Sequence, residues 1–131
     1  MQTSKFRRWL AYQKAIRLAG SIERLTVTFP PKEERRLSDQ IIRSSRSVCA
    51  NLAEAYGRRD YRRHFLAKLT DSVAENYETQ VWLDVALERK YLSPDHYRIY
   101  VAASEEVGRL LSYMKRTPAQ FALPPLQKAK G

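Results

Sequence analysis

Apolar residues recur every three or four positions along almost the whole chain. The rhythm breaks at three places, "FPP" at 29–31, "YGRRD" at 56–60 and "LSPD" at 92–95. That period belongs to amphipathic helices, and no segment carries a convincing strand alternation. Three interruptions leave four helices. The first is predicted from Thr3 or Ser4 to Thr28, with Ala11, Ala15, Leu18, Ile22, Leu25 and Phe29 on one stripe. Pro30 and Pro31 stop it, because proline lacks an amide donor and clashes with the preceding turn. The second should run from about Lys32 to Tyr56 over Leu37, Ile41, Val48, Leu52 and Ala55, with Gly57 as a left-handed cap. Asp60 is placed to cap the third, which carries Phe65, Leu69, Val73, Tyr77, Val81 and Leu87 and ends near Lys90. Ser93 as cap and Pro94 at the first helical position open the fourth, with Tyr97, Tyr100, Ser104, Val107, Leu111 and Met114 inside and an end near Lys115.

Short connections set consecutive helices side by side, so the expected fold is all-α, an antiparallel up-down four-helix bundle. Residues 1–116 make the bundle, and 131 residues leave no room for a second full domain. Residues 117–131, with their prolines, small residues and two lysines, read as a flexible basic tail that adds no core. Cys49 is the only cysteine, which excludes an internal disulfide or a cysteine zinc cluster and fits a reduced, cytoplasmic setting. "MQTSKFRRWL" lacks the apolar run of a signal peptide or a membrane span, so a soluble protein is expected.

Lys and Arg outnumber Asp and Glu by 24 to 14, a formal charge of +10 that makes a polyanion such as RNA or DNA the first partner to consider, against an inert basic surface. Up to Pro30 the only acid is Glu23, while Arg7, Lys14, Arg17 and Arg24 gather on one helical face. Trp9, Tyr12, Ile16 and Ala19 form a second apolar strip beside the core stripe. It is either an oligomer contact or the broad edge of one core-facing stripe.

Catalytic patterns do not assemble. The glycines lie too far apart for a phosphate loop. His64 follows Tyr61 by three and His96 follows Ser93 by three, so the Glu-x-x-His pairs of a di-iron bundle are missing. Cys49 with His64 would make a nucleophile and base, but a cysteine on a core helix is more simply a small buried hydrophobe. Asp71, Glu75 and Glu78 share a helix face suited to a hard cation or to acid–base work, or more economically to ion pairs with Arg43 or Arg46. Glu54 and Arg58 have the spacing of a surface pair. No enzyme and no cofactor are expected.

The junction between helices two and three carries Arg58, Arg59, Arg62 and Arg63, interleaved with Tyr56 and Tyr61. With Asp60 as cap, Arg62 and Arg63 occupy the first helical turn, where cations cost about 0.3–1 kcal/mol each. Local stability does not account for them. They suit phosphate contacts beside base-stacking rings, or acidic groups of a neighbouring helix or subunit, the second making the protein a structural interaction module that binds no nucleic acid.

"IIRSSRSVCANLAEAYGRRDYRRHFLAKLTDSVAENYETQVWLDVAL" resembles the signature region of the small four-helix-bundle proteins that include the rRNA intervening-sequence proteins and the accessory variability proteins of diversity-generating retroelements. Ser47, Val48, Asn51, Leu52, Ala53, Glu54, Gly57 and Arg58 match, whereas Cys49 replaces the usual proline and Ala55 the usual glycine. Upstream, Trp9, the Phe29-Pro30 stop and Leu37 before Gln40 extend the likeness over roughly residues 6–115. The resemblance implies a ring-shaped homopentamer without enzymatic activity. For the retroelement branch it implies a basic ring that binds a reverse transcriptase and its RNA and cDNA in mutagenic retrohoming, and for the rRNA branch a protein encoded within an intervening sequence. The charge points to the first.

Overall fold

The computed structural model of the chain describes residues 5–122. Four helices form, α1 at Leu10–Thr26, α2 at Asp39–Gly57, α3 at Arg62–Glu88 and α4 at Pro94–Arg116. Each lies against its sequence neighbour, and α4 closes the bundle on α1. Cross-helix pairs fix the directions. Arg46 of α2 reaches Glu23 near the end of α1, while Tyr56 at the end of α2 meets Phe6 before the start of α1. On the far side Asn76 of α3 bonds Ser104 of α4, and Lys14 of α1 lies 3.6 Å from Glu106 of α4. The bundle is up-down, with the start of α1, the α2–α3 turn and the end of α4 at one end. Among the described residues no helix is long and apolar enough to cross a membrane.

The predicted stripes of α1, α2 and α4 face the core, with only Leu25, Tyr97 and Tyr100 half-buried. The stripe predicted for α3 holds only at Phe65 and Leu69. Val73 and Leu87 are half-buried, while Tyr77 is 64% exposed and Val81 50%. The error is geometric. A row taken in steps of four drifts about 40° per step around a helix of 3.6 residues per turn, so by Val81 it has left the core. The inward row alternates its steps through Ser72, Asn76, Thr79, Leu83 and Ala86. Its polar members are all bonded. Ser72 Oγ donates to Val48 O at 2.8 Å, and Thr79 Oγ1 lies 2.8 Å from Ser44 Oγ. Asn76 Nδ2 donates to Ser104 O at 2.9 Å and its Oδ1 accepts from Ser104 Oγ at 3.0 Å, with Gln80 Nε2 completing the set on Ser104 Oγ. Buried polar groups persist only when paired in this way.

Five boundaries differ from expectation, and the second helix begins at Asp39 rather than Lys32, after a 3₁₀ turn at Pro31–Glu33 and a π-helical turn at Glu34–Ser38. Helix one begins at Leu10, not Ser4. Lys5–Arg8 form a separate 3₁₀ turn, and extended Trp9 caps the helix while Gln13 Nε2 bonds the freed Arg7 carbonyl at 3.0 Å. Gly57 is not a left-handed cap, because α2 runs through it and Arg58 ends the helix at φ −112. Tyr61 rather than Asp60 caps α3, without a side-chain bond. The tail is not devoid of core, since Phe121 packs on Trp9 and Tyr113 with ring centroids 6.0 Å apart in each pair and Ala122 is buried. The rest of the expected tail, 123–131, lies outside the described residues. On α1, Trp9, Tyr12 and Ala19 close against the bundle and Ile16 alone of the second strip stays exposed, which favours one broad stripe.

The left-handed turn sits instead after α3. Lys90 has φ 63, and the amides of Lys90 and Tyr91 donate back to Leu87 O and Ala86 O, each at 2.9 Å. This bond pair usually ends helices over glycine, since a Cβ is strained there. Lys90→Gly is therefore expected to raise the unfolding free energy by about 0.5–1 kcal/mol, after the added chain entropy of glycine is offset. A higher urea midpoint at constant m-value would show it, and an unchanged midpoint would mean that Lys90 carries compensating side-chain contacts.

Candidate nucleic-acid interface

The α2–α3 turn places its arginines around two aromatic rings. Arg59 sits over Tyr56, its guanidinium carbon 3.5 Å from the ring centroid, with Nε donating to Tyr56 O at 2.7 Å. Arg58 and Arg63 are exposed, and Arg62 is half-buried with an Nε that has no hydrogen-bond partner among the described residues. Tyr61 stands 59% exposed, with His64 beside it at 5.7 Å between ring centroids. Among the described residues none of these four arginines makes an ion pair. Glu54, expected to pair with Arg58, instead binds Lys68 at 2.9 Å. Lys68 wins because it projects from α3 across the interface.

The first turn of α3 contains no acid and begins with two arginines. A tyrosine at the cap costs about 1 kcal/mol relative to Ser, Thr, Asp or Asn, and each arginine adds about 0.3–1 kcal/mol of repulsion from the helix end. Three successive positions thus oppose local stability.

Bundle closure enlarges the cluster. The Lys5–Arg8 turn sits on the end of α2, where the Lys5 amide donates to Tyr56 Oη at 3.3 Å and the Phe6 ring lies 5.6 Å from Tyr56. The Arg7 guanidinium covers Phe6 at 4.5 Å, so Arg7 joins the junction rather than the helix-one face to which the sequence assigned it. Lys5 and Arg8 come with it. Contact of Phe121 with Trp9 brings the last turn of α4, with Lys115 and Arg116, to the same end. These four residues escaped the sequence reading, although up-down topology alone assigns the start of α1, the second turn and the end of α4 to one end.

The remaining helix-one candidates do not belong to this cluster. Lys14 pairs with Glu106, Arg17 is exposed, and Arg24 Nη2 bonds Ser21 Oγ at 3.2 Å. Arg24 lies about 15 Å along α1 from Lys14, toward the opposite end. They form a stripe leading away from the junction.

The other side chains weighed for chemistry are engaged elsewhere. Cys49 is buried, and burial pushes its thiol up to about 11, leaving it protonated and unreactive at neutral pH. His64 is exposed on the first turn of α3. Glu75 accepts from Arg43 at 3.3 Å, Glu78 also binds Arg43, and together they hold its guanidinium above its ordinary value. Asp71 goes to Lys68 at 3.4 Å, and Arg46, the alternative partner for these acids, goes to Glu23 at 2.9 Å. The acidic face of α3 is thus taken up by ion pairs, from Glu75 and Glu78 across to Arg43 of α2 and from Asp71 to Lys68 within α3.

A family model described as 23S rRNA-intervening sequence protein matches residues 7–113. Among solved structures, a protein with unknown function from the S23 ribosomal protein family of Bacteroides thetaiotaomicron VPI-5482 superimposes with a TM-score of 0.74 at 28% sequence identity, covering 82% of this chain and 96% of that chain. No curated protein matches the chain.

Proposed function

The chain belongs to the 23S rRNA-intervening sequence protein family, and from that premise we propose that it is a non-catalytic, cytoplasmic RNA-binding protein whose basic bundle end holds phosphates. The observation that carries this reading is the gathering of Arg7, Arg58, Arg59, Arg62 and Arg63 at one end, with no carboxylate bonded to any of them among the described residues. Arginine presents a planar fork suited to phosphate oxygens, and such contacts are largely indifferent to sequence. Lys14, Arg17 and Arg24 would extend the contact along α1. Assembly into a homopentameric ring, as the resemblance implies, would repeat the basic end five times and add avidity. The family name makes ribosomal RNA the first ligand to test. Service to a reverse transcriptase in a diversity-generating retroelement rests on the resemblance and on the charge of +10.

Fluorescence anisotropy across a salt series tests the proposal. The double variant Arg62→Ala/Arg63→Ala is expected to bind RNA more weakly and to flatten the slope of log K against log salt by about 0.9 per lost duplex phosphate contact, or about 0.7 on a single strand. An unchanged slope in a folded double variant would remove the junction from the interface. Light scattering on the same samples covers the other role of arginines, because dissociation of an oligomer with intact intrinsic RNA binding would make the cluster a subunit seam.

A further inference from the structure

The two tyrosines of the junction are not equivalent. Tyr56 has one ring face covered by Arg59 at 3.5 Å, while Phe6 and Trp9 crowd it with ring centroids 5.6 Å away in each case. A base stacking on that face would have to displace the arginine. Tyr61 is 59% exposed, and His64, tilted by 38°, is the aromatic ring beside it. In sequence it lies between exposed Arg58 and Arg63, at a helix cap where its side chain makes no capping bond.

We infer that the basic end takes single-stranded RNA, with Tyr61 as the surface on which an unpaired base stacks and Arg58 and Arg63 on the flanking phosphates. This rests on the phosphate-binding reading above and specifies its ligand. Inside a duplex every base is already stacked on its neighbours, so a ring standing out from a basic surface has no face to meet there. An unpaired base in a loop, bulge or strand end offers one. Because all four bases have such a face, the preference is for strandedness rather than sequence. With Arg59 over Tyr56, the exposed aromatic rings of the junction are Tyr61 and its neighbour His64, and Tyr61 is the one that lies in sequence between Arg58 and Arg63. The His64 ring backs that surface from within the first turn of α3.

The test uses the full chain, an unstructured uridine oligomer and an RNA duplex of similar charge, at one salt concentration. Tyr61→Ala is expected to weaken single-strand binding about 5- to 150-fold, the worth of one stacked base, while duplex binding stays within twofold. Tyr61→Phe should keep the single-strand affinity, since the ring rather than the hydroxyl carries the contact. Tyr61→Ser separates folding from binding. It supplies the missing cap, so its melting temperature should rise while its single-strand affinity falls. Equal losses on both RNAs, no loss on either, or a Phe variant as weak as Ala would overturn the assignment of Tyr61 while leaving phosphate binding intact. Failure of the wild-type chain to bind either RNA would overturn both readings.

Discussion

Asn76→Asp is expected to cost the bundle about 3–5 kcal/mol at neutral pH and little below about pH 4. Asn76 is 2% exposed, its amide donating to Ser104 O and its carbonyl oxygen accepting from Ser104 Oγ. The aspartate would keep the accepting oxygen but turn the other toward a backbone carbonyl, an uncompensated buried charge of the kind that costs 3–5 kcal/mol. A protonated carboxyl can still donate to Ser104 O, so the folded state holds its proton more tightly than the unfolded chain and the Asp pKa rises on folding. The sign follows. Relative to wild type the penalty is absent below the ordinary Asp pKa of about 3.9, grows as the pH climbs to the raised folded value, and is constant above it. Urea unfolding of both proteins at several pH values measures the difference, and a loss independent of pH would mean that cavity or strain, not charge, is responsible.

That network also explains where sequence reading succeeded and failed. On α1, α2 and α4 the large apolar residues keep the phase of the core, so counting threes and fours finds Ile22, Ile41 and Leu111, each with no exposed surface. On α3 the core phase is held midway by Ser72, Asn76 and Thr79, whose burial depends on Val48, Ser104 and Ser44 of other helices. Nothing local marks them, whereas Val73, Tyr77 and Val81 offer a tempting apolar row on the wrong side. The site divides in the same way. The Arg58–Arg63 run could be read directly, because its charges conflict with the helix end on which they sit. Helical periodicity carries helix one back past Trp9 and puts Arg7 on its basic face, whereas the Trp9 ring packs on Tyr56, Phe65 and Phe121 and ends the helix there, leaving Arg7 in the preceding turn. That packing is a tertiary event. The left-handed cap escaped for a related reason, since the backbone bonds that demand it fall at Lys90 and not at the available glycine.

Phe65→Ala is expected to lower the unfolding free energy by about 3–5 kcal/mol, and its second effect separates core from site. Phe65 has no exposed surface and fills the end of the core beneath the junction, so its removal leaves a cavity as well as losing transfer energy. Its ring lies 6.2 Å from Trp9, Trp9 lies 5.6 Å from Tyr56, and Tyr56 carries Arg59. A cavity at the base of that stack should let Trp9 and Tyr56 shift and release Arg59 from its fixed position. Leu83, equally buried on the same helix, lies about 27 Å toward the other end. Leu83→Ala should cost about 2–5 kcal/mol but touches none of these rings. With both variants held where they remain folded, RNA affinity should fall for Phe65→Ala and stay within twofold of wild type for Leu83→Ala. Equal affinities at matched stability would show that Arg59 is placed by its own bond to the Tyr56 carbonyl and owes nothing to the aromatic stack below.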